Sequence, residues 1–245
     1  MTELLDKPSA IPHDEPFVPE LQNGDHLSRE EFHRRYEAMG ESTRAELIEG
    51  IVYLYSSGMP CPVSIDKHSA PHADLIGWIY SYRMKTPGLV YGTDGSIFVD
   101  LDNEPQPDVL LGIHERRGGQ TRLIKQGKKQ YVANAPELVG EVAASTASID
   151  LNAKLRAYQR NGVREYIVVL TEQEPAEVRW MTLEGGRFVA QQPEDGLFKS
   201  RVFPGLWLDP AALLAGDLPK LAAAVEAGCA TDGHVVFVQR LADAG

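Results

Sequence analysis

Pro136-Glu137-Leu138-Val139-Gly140-Glu141-Val142-Ala143-Ala144 is the stretch on which the fold turns. Strand alternation puts Val139, Glu141 and Ala143 on one face and Leu138, Gly140, Val142 and Ala144 on the other. Both faces are apolar or small apart from one carboxylate, so the stretch predicts a strand internal to a sheet, introduced by Pro136. Arg164 to Leu170 reads as a second continuous strand, rich in β-branched residues. Between them Asp150 is suited to cap a helix running to about Asn161, with Gly162 as its stop. Strand, helix and strand in that order predict a parallel pair joined by a right-handed crossover. A glutamate inside such a strand is costly unless it binds something. The other reading of Glu141 is a strand-end residue paired with an arginine.

The bulk properties suit a globular protein. The chain has 245 residues, 43% hydrophobic and 24% charged, enough for one domain with a real core, or one domain with appendages. No apolar run approaches the length of a membrane span and no basic-then-apolar leader is visible, so no membrane association is expected. Cys61 and Cys229 are the only cysteines. They lack metal-type spacing, which indicates neither a disulfide framework nor a structural zinc site, and the expected compartment is a reducing cytoplasm. The net charge of -11 argues against indiscriminate coating of nucleic acid. The charge is unevenly placed, however. Arg116, Arg117, Arg122, Lys125, Lys128 and Lys129 lie between His114 and Tyr131 against the single acid Glu115. This glycine-punctuated stretch reads equally well as a solvated loop and as a phosphate contact.

Outward from the centre, residues 1–25 read as a proline-rich N-terminal arm or disordered lead. Ser28, with Glu31 three residues later, predicts a capped helix ending near Met39-Gly40. Ala45 to Tyr55 reads as two strands hinged at Glu49-Gly50. Pro60, Pro62 and Pro71 mark a loop. Leu75, Ile76, Ile79 and Tyr80 recur at helical spacing between His72 and about Met84. Leu89 to Leu101 is strand-like but broken by Gly92 and Gly95, and Asn103 to Pro107 forms a turn. After Leu170 the pattern predicts a hairpin (177–183 and 187–191). Short helical turns follow at Pro204-Gly205-Leu206 and Leu208-Asp209-Pro210, then a helix from Leu218 to Ala227 and a last strand over Val235 to Val238.

Two further charges deserve notice beside Glu141. Asp108 opens the apolar run Val109-Leu110-Leu111; alone it reads as a turn aspartate bonding nearby amides. Were its strand a neighbour of the Glu141 strand, the two carboxylates would converge on a divalent cation. Lys154 shares a helical side with Leu151 and Tyr158. It either snorkels into solvent or reaches toward Glu141, where an ammonium would orient water and steady charge on a phosphate.

The segments Glu46-Leu47-Ile48-Glu49-Gly50, His72 at a helix start, Pro107-Asp108-Val109, Ala135 to Val142, Ser145-Thr146, Asp150 to Lys154 and Tyr158 to Tyr166 resemble, in order and spacing, the Uma-two family of restriction-endonuclease-like proteins within the PD-(D/E)XK nuclease superfamily. The likeness spans roughly residues 28 to 215. It implies a restriction-endonuclease-like α/β core, a mixed β-sheet flanked by helices, over 26–215, with a C-terminal helical extension at 216–245. It also implies Asp108 and Glu141 as ligands of Mg²⁺ or Mn²⁺, Lys154 as the catalytic lysine, and Glu46 and His72 as supporting residues. Arg116, Arg117, Lys125, Lys128 and Lys129 would contact phosphate. Ala143 stands where the superfamily motif usually carries lysine, Gly140 where a bulkier residue is usual, and Ile167 where tryptophan commonly follows tyrosine. The implied activity is metal-dependent endonucleolytic hydrolysis of DNA by a homodimer. A catalytically inactive binding module on the same scaffold and a small-molecule phosphatase are the alternatives.

Overall fold

The computed structural model describes residues 17–40, 43–56 and 64–244. Residues 1–16 of the expected arm and the expected loop prolines Pro60 and Pro62 lie outside the described residues. The Ser28 hydroxyl accepts the Glu31 amide and caps α1 (Arg29–Ala38). The hairpin of β1 (Arg44–Ile48) and β2 (Ile51–Ser56) turns at Glu49-Gly50, both in left-handed backbone at φ 57° and 75°, the geometry of a tight two-residue hairpin turn. A π-helical turn (Ile65–Ser69) leads into α2 (Ala70–Lys85), so the helix begins ahead of His72, which lies in its first turn.

The segment from Leu89 splits into β3 (Leu89–Gly92) and β4 (Ile97–Phe98), which join different sheets. After β5 (Val109–Ile113) the basic stretch opens with a 3-10 turn (Glu115–Arg117) and continues as a ribbon, not a loop: β6 (Arg122–Gln126) pairs antiparallel with β7 (Lys129–Ala133). Leu123, Ile124 and Val132 give the ribbon apolar contacts, and Gly127 at φ 59° makes its turn. β8 (Leu138–Ala143) follows. The helix beyond it starts at α3 (Ala147–Ile149), passes a π-helical stretch (Asp150–Lys154) and ends as α4 (Leu155–Arg160). Asp150 is therefore inside the helix and does not cap it. Next come β9 (Glu165–Leu170), β10 (Glu177–Glu184), β11 (Arg187–Ala190), β12 (Phe198–Lys199), β13 (Trp207–Leu208), α5 (Pro210–Ala215), α6 (Leu218–Cys229) and α7 (Asp232–Asp243). The expected strand over Val235–Val238 is part of α7. Thr231 caps that helix on the His234 amide, and Phe237 and Leu241, four residues apart, both face the core.

The main sheet has the order β11-β10-β9-β8-β5-β3. Its β8–β9 pair is parallel and bridged by the α3–α4 helix, as the sequence predicts; the neighbouring pairs are antiparallel. The two faces of β8 feed two cores. Leu138 and Val142 pack with Leu75, Trp78 and Tyr82 of α2 and with Leu221, Val225, Phe237 and Leu241 of α6 and α7. Val139 and Ala143 pack with Leu110, Tyr158 and Tyr166. Gly140 faces α2 at close quarters: a Cβ there would meet Val109 Cγ2 at 2.8 Å and Leu75 Cδ2 at 3.4 Å. Phe32, Leu47 and Val52 form a smaller core with Leu21 under the β1–β2 hairpin. Among the described residues no single helix is long and apolar enough to cross a membrane.

Glu165, at the start of β9, is fully buried and accepts hydrogen bonds from Ser200 Oγ at 2.6 Å and the Arg201 amide at 2.7 Å. Burial pushes its carboxyl up from the ordinary 4.5 to about 7, against the pull of these donors. The folded chain therefore holds this proton more tightly than the unfolded chain. The associated stability is full below about pH 4.5 and is lost as pH rises through about 7. Urea midpoints of Glu165→Gln and the parent should diverge in pH dependence: the parent loses about 2–3 kcal/mol more between about pH 5 and pH 8. Parallel curves would reject this assignment.

Candidate active site

Val109 lies opposite Gly140 in the β5–β8 ladder, which sets Asp108 opposite Glu141 with both side chains on one face. That face is the one covered by Tyr158 and α4, since Leu110 and Val139 share its core. The Val142 amide donates to Asp108 Oδ2 at 2.6 Å. The other oxygen, Oδ1, faces Arg44 Nη2 at 3.5 Å and His72 Nε2 at 3.8 Å. Glu141 Oε1 accepts from the Tyr158 hydroxyl at 3.0 Å and from Lys154 Nζ at 3.2 Å. Lys154 Nζ also lies 3.0 Å from Glu46 Oε1 and 3.4 Å from Asp150 Oδ1. Glu46 Oε1 accepts the Gln106 amide at 2.5 Å as well.

Lys154 is only 4% exposed, so it does not snorkel; it turns inward onto three carboxylates. Asp150 and Lys154, four residues apart, lie on one side of the helix. Burial works against the ammonium, but Glu141, Glu46 and Asp150 together hold its pKa well above the ordinary lysine value. Burial drives the Glu141 carboxyl up; Lys154 opposes the rise, while Asp150, Asp108 and Glu46 add to it. Burial likewise raises Asp150. For Arg44, burial is outweighed by Asp94, Glu46 and Asp108, so its pKa is raised.

Five acids (Glu46, Asp94, Asp108, Glu141 and Asp150) thus face one buried ammonium and one part-exposed guanidinium, an excess of acidic groups that a divalent cation would offset. The donor set fits such an ion. His72 Nε2 is shielded from solvent and has no hydrogen-bond partner among the described residues, and it lies 3.7 Å from Asp94 Oδ2 besides its approach to Asp108.

The structure thus places Asp108 opposite Glu141, brings Glu141, Lys154 and Glu46 into contact, and sets His72 at the Asp108 end. It does not bring the basic residues there. The Arg117 guanidinium donates to the Leu241 carbonyl, and Lys129 pairs with Glu37 at 3.5 Å. Arg116, Lys125 and Lys128 are exposed, and none of the five has an ion pair or hydrogen bond to the carboxylate cluster among the described residues. Sequence reasoning missed Asp94 and Arg44, treated Asp150 as a cap and counted Tyr158 as apolar. The Asp94-Gly95 dipeptide was the available signal for Asp94, as a turn that projects a carboxylate. Its backbone is left-handed at φ 52°.

Opposed acids on neighbouring central strands are thus met by a lysine from the crossover helix of a mixed α/β fold. Residues 29–211 match the Uma2 family model, described as "Putative restriction endonuclease", and the chain belongs to that family. A solved structure titled a "putative nuclease belonging to DUF820", from Anabaena variabilis ATCC 29413, is similar in fold. Its TM-score is 0.50 at 14% identity, over 78% of this chain and 97% of that one. No curated protein matches the chain.

Proposed function

We propose that the protein is a metal-dependent endonuclease that hydrolyses phosphodiester bonds in DNA. The observation that carries this reading is the placement of Asp108 opposite Glu141 with Lys154 in contact with Glu141. Asp108 and Glu141 would hold Mg²⁺ or Mn²⁺, which supplies Lewis acidity toward the phosphate and a lowered pKa for water. Asp108 presents Oδ1 because the Val142 amide ties down Oδ2. Tyr158 and Lys154 fix the Glu141 carboxylate. Lys154 acts through charge and hydrogen bonding. Glu46 and Asp150 keep that ammonium in place. The exposed lysines at the tip of the β6–β7 ribbon would grip the backbone away from the reacting atoms. Cutting both strands calls for two such sites, hence a symmetric homodimer.

Supercoiled plasmid incubated with the purified protein tests the proposal. Nicked and then linear DNA should form with Mg²⁺ or Mn²⁺ and not with EDTA. Turnover of a small phosphoester with intact plasmid would instead mark a phosphatase. Tight DNA binding without turnover of either would mark a binding module.

A further inference from the structure

We propose that His72, Asp94 and Asp108 form a cation position at the open side of this site, selective for a transition ion such as Mn²⁺ over Mg²⁺, and that the Arg44 guanidinium competes with the ion for it. The inference deepens the nuclease reading and rests on it only for the use to which the ion is put.

The three residues each offer a ligand atom, and these atoms all lie within 4.8 Å of one another. Ligands around a six-coordinate ion sit about 3–4 Å apart, so modest side-chain movement closes the set. The chemistry is mixed: two carboxylate oxygens and one imidazole nitrogen. Mg²⁺ takes oxygen ligands almost exclusively, whereas first-row transition ions accept imidazole, Mn²⁺ the most weakly among them. His72 Nε2 is the atom that needs a partner. It is shielded, makes no hydrogen bond among the described residues, and lies 3.7 Å from Asp94 and 3.8 Å from Asp108, too far for hydrogen bonds. A second imidazole stands beside it: the His68 ring is 5.6 Å away between centroids, and its Nδ1 is likewise buried with no partner among the described residues. Asp94, 41% exposed at its side chain, keeps the position open to solvent.

Arg44 occupies the same two acids. Its Nη2 lies 3.0 Å from Asp94 Oδ1 and 3.5 Å from Asp108 Oδ1, with a further bond to the Gln106 carbonyl at 3.4 Å. Arg44 and His72 face opposite oxygens of Asp94 but the same Oδ1 of Asp108, and a guanidinium and a divalent ion cannot both sit against that oxygen without strong repulsion. Ion binding therefore has to displace Arg44, and the arginine lowers apparent affinity by the strength of the contacts it gives up.

Binding of Mn²⁺ and of Mg²⁺ to the full chain, followed by calorimetry and by the paramagnetic resonance of free Mn²⁺, tests this without reference to cleavage. Circular dichroism verifies that each variant is folded. His72→Gln should weaken Mn²⁺ about tenfold or more and change Mg²⁺ less than about threefold. Asp94→Asn, which tolerates the left-handed backbone, should weaken both ions. Arg44→Gln should tighten Mn²⁺ about three- to tenfold. Unchanged Mn²⁺ binding in His72→Gln and Asp94→Asn, with binding lost in Asp108→Asn, would place the ion with Asp108 and Glu141 alone; the inference then falls and the nuclease reading stands. Weaker Mn²⁺ binding in Arg44→Gln would overturn the competition. A parent protein that binds neither ion would end both proposals.

Discussion

Asp108→Asn is expected to cut plasmid nicking by about a thousandfold or more while making the ion-free protein more stable. Asparagine keeps the shape of the side chain, and its carbonyl still accepts the Val142 amide that now bonds Asp108 Oδ2. What disappears is one negative charge beside Glu141, and with it part of the repulsion that drives the Glu141 carboxyl upward. The expected gain is about 1 kcal/mol, read as a higher melting temperature in EDTA. Opposite signs in activity and stability are what a functional acid shows and a structural one does not. A variant that nicks like the parent would remove Asp108 from the site.

Lys154→Met should be the most damaging change to the fold. Glu46, Glu141 and Asp150 each have Lys154 as their ion-pair partner, and all three are buried. Methionine fills the volume but leaves these acids without a counter-charge, at an expected cost of about 3–5 kcal/mol near neutral pH. The sign of the pH dependence follows. Without the ammonium the carboxyls are raised further, so the folded variant binds protons that its unfolded chain releases, and its deficit shrinks as pH falls toward about 5. Mn²⁺ should recover part of the loss. Urea unfolding of both proteins at two pH values, with and without the ion, checks this. A variant as stable as the parent at about pH 8 would show that Lys154 does not hold the cluster together.

Local rules read much of this molecule. The Ser28 cap, the Glu49-Gly50 hinge, α2, β8, β9 and the Gly185-Gly186 hairpin all follow from capping, turn chemistry and periodicity acting over a few residues. The failures have one cause, contacts set by the rest of the chain. Val235 to Val238 has strand-forming side chains, yet its place between the Thr231 cap and the core contact of Leu241 makes it helix. The basic stretch carries its apolar residues sparsely, and pairing with β4 stabilises it as a ribbon. At the site, Glu141 and Lys154 announced themselves as charges in apolar surroundings. Asp94 and Arg44 are part-exposed polar residues whose meaning depends wholly on the loop and hairpin that bring them beside Asp108.

The absent side chain of Gly140 works as a spacer of zero thickness. Leu75, three residues along α2 from His72, already lies within 3.4 Å of where a methyl group would stand, and Val109 is nearer still. A single added carbon would press on the Val109 side chain, one residue beyond Asp108 on the neighbouring strand, with no charged group altered. A side chain with bulk at this position calls for a thinner neighbour or a wider gap between β5 and β8.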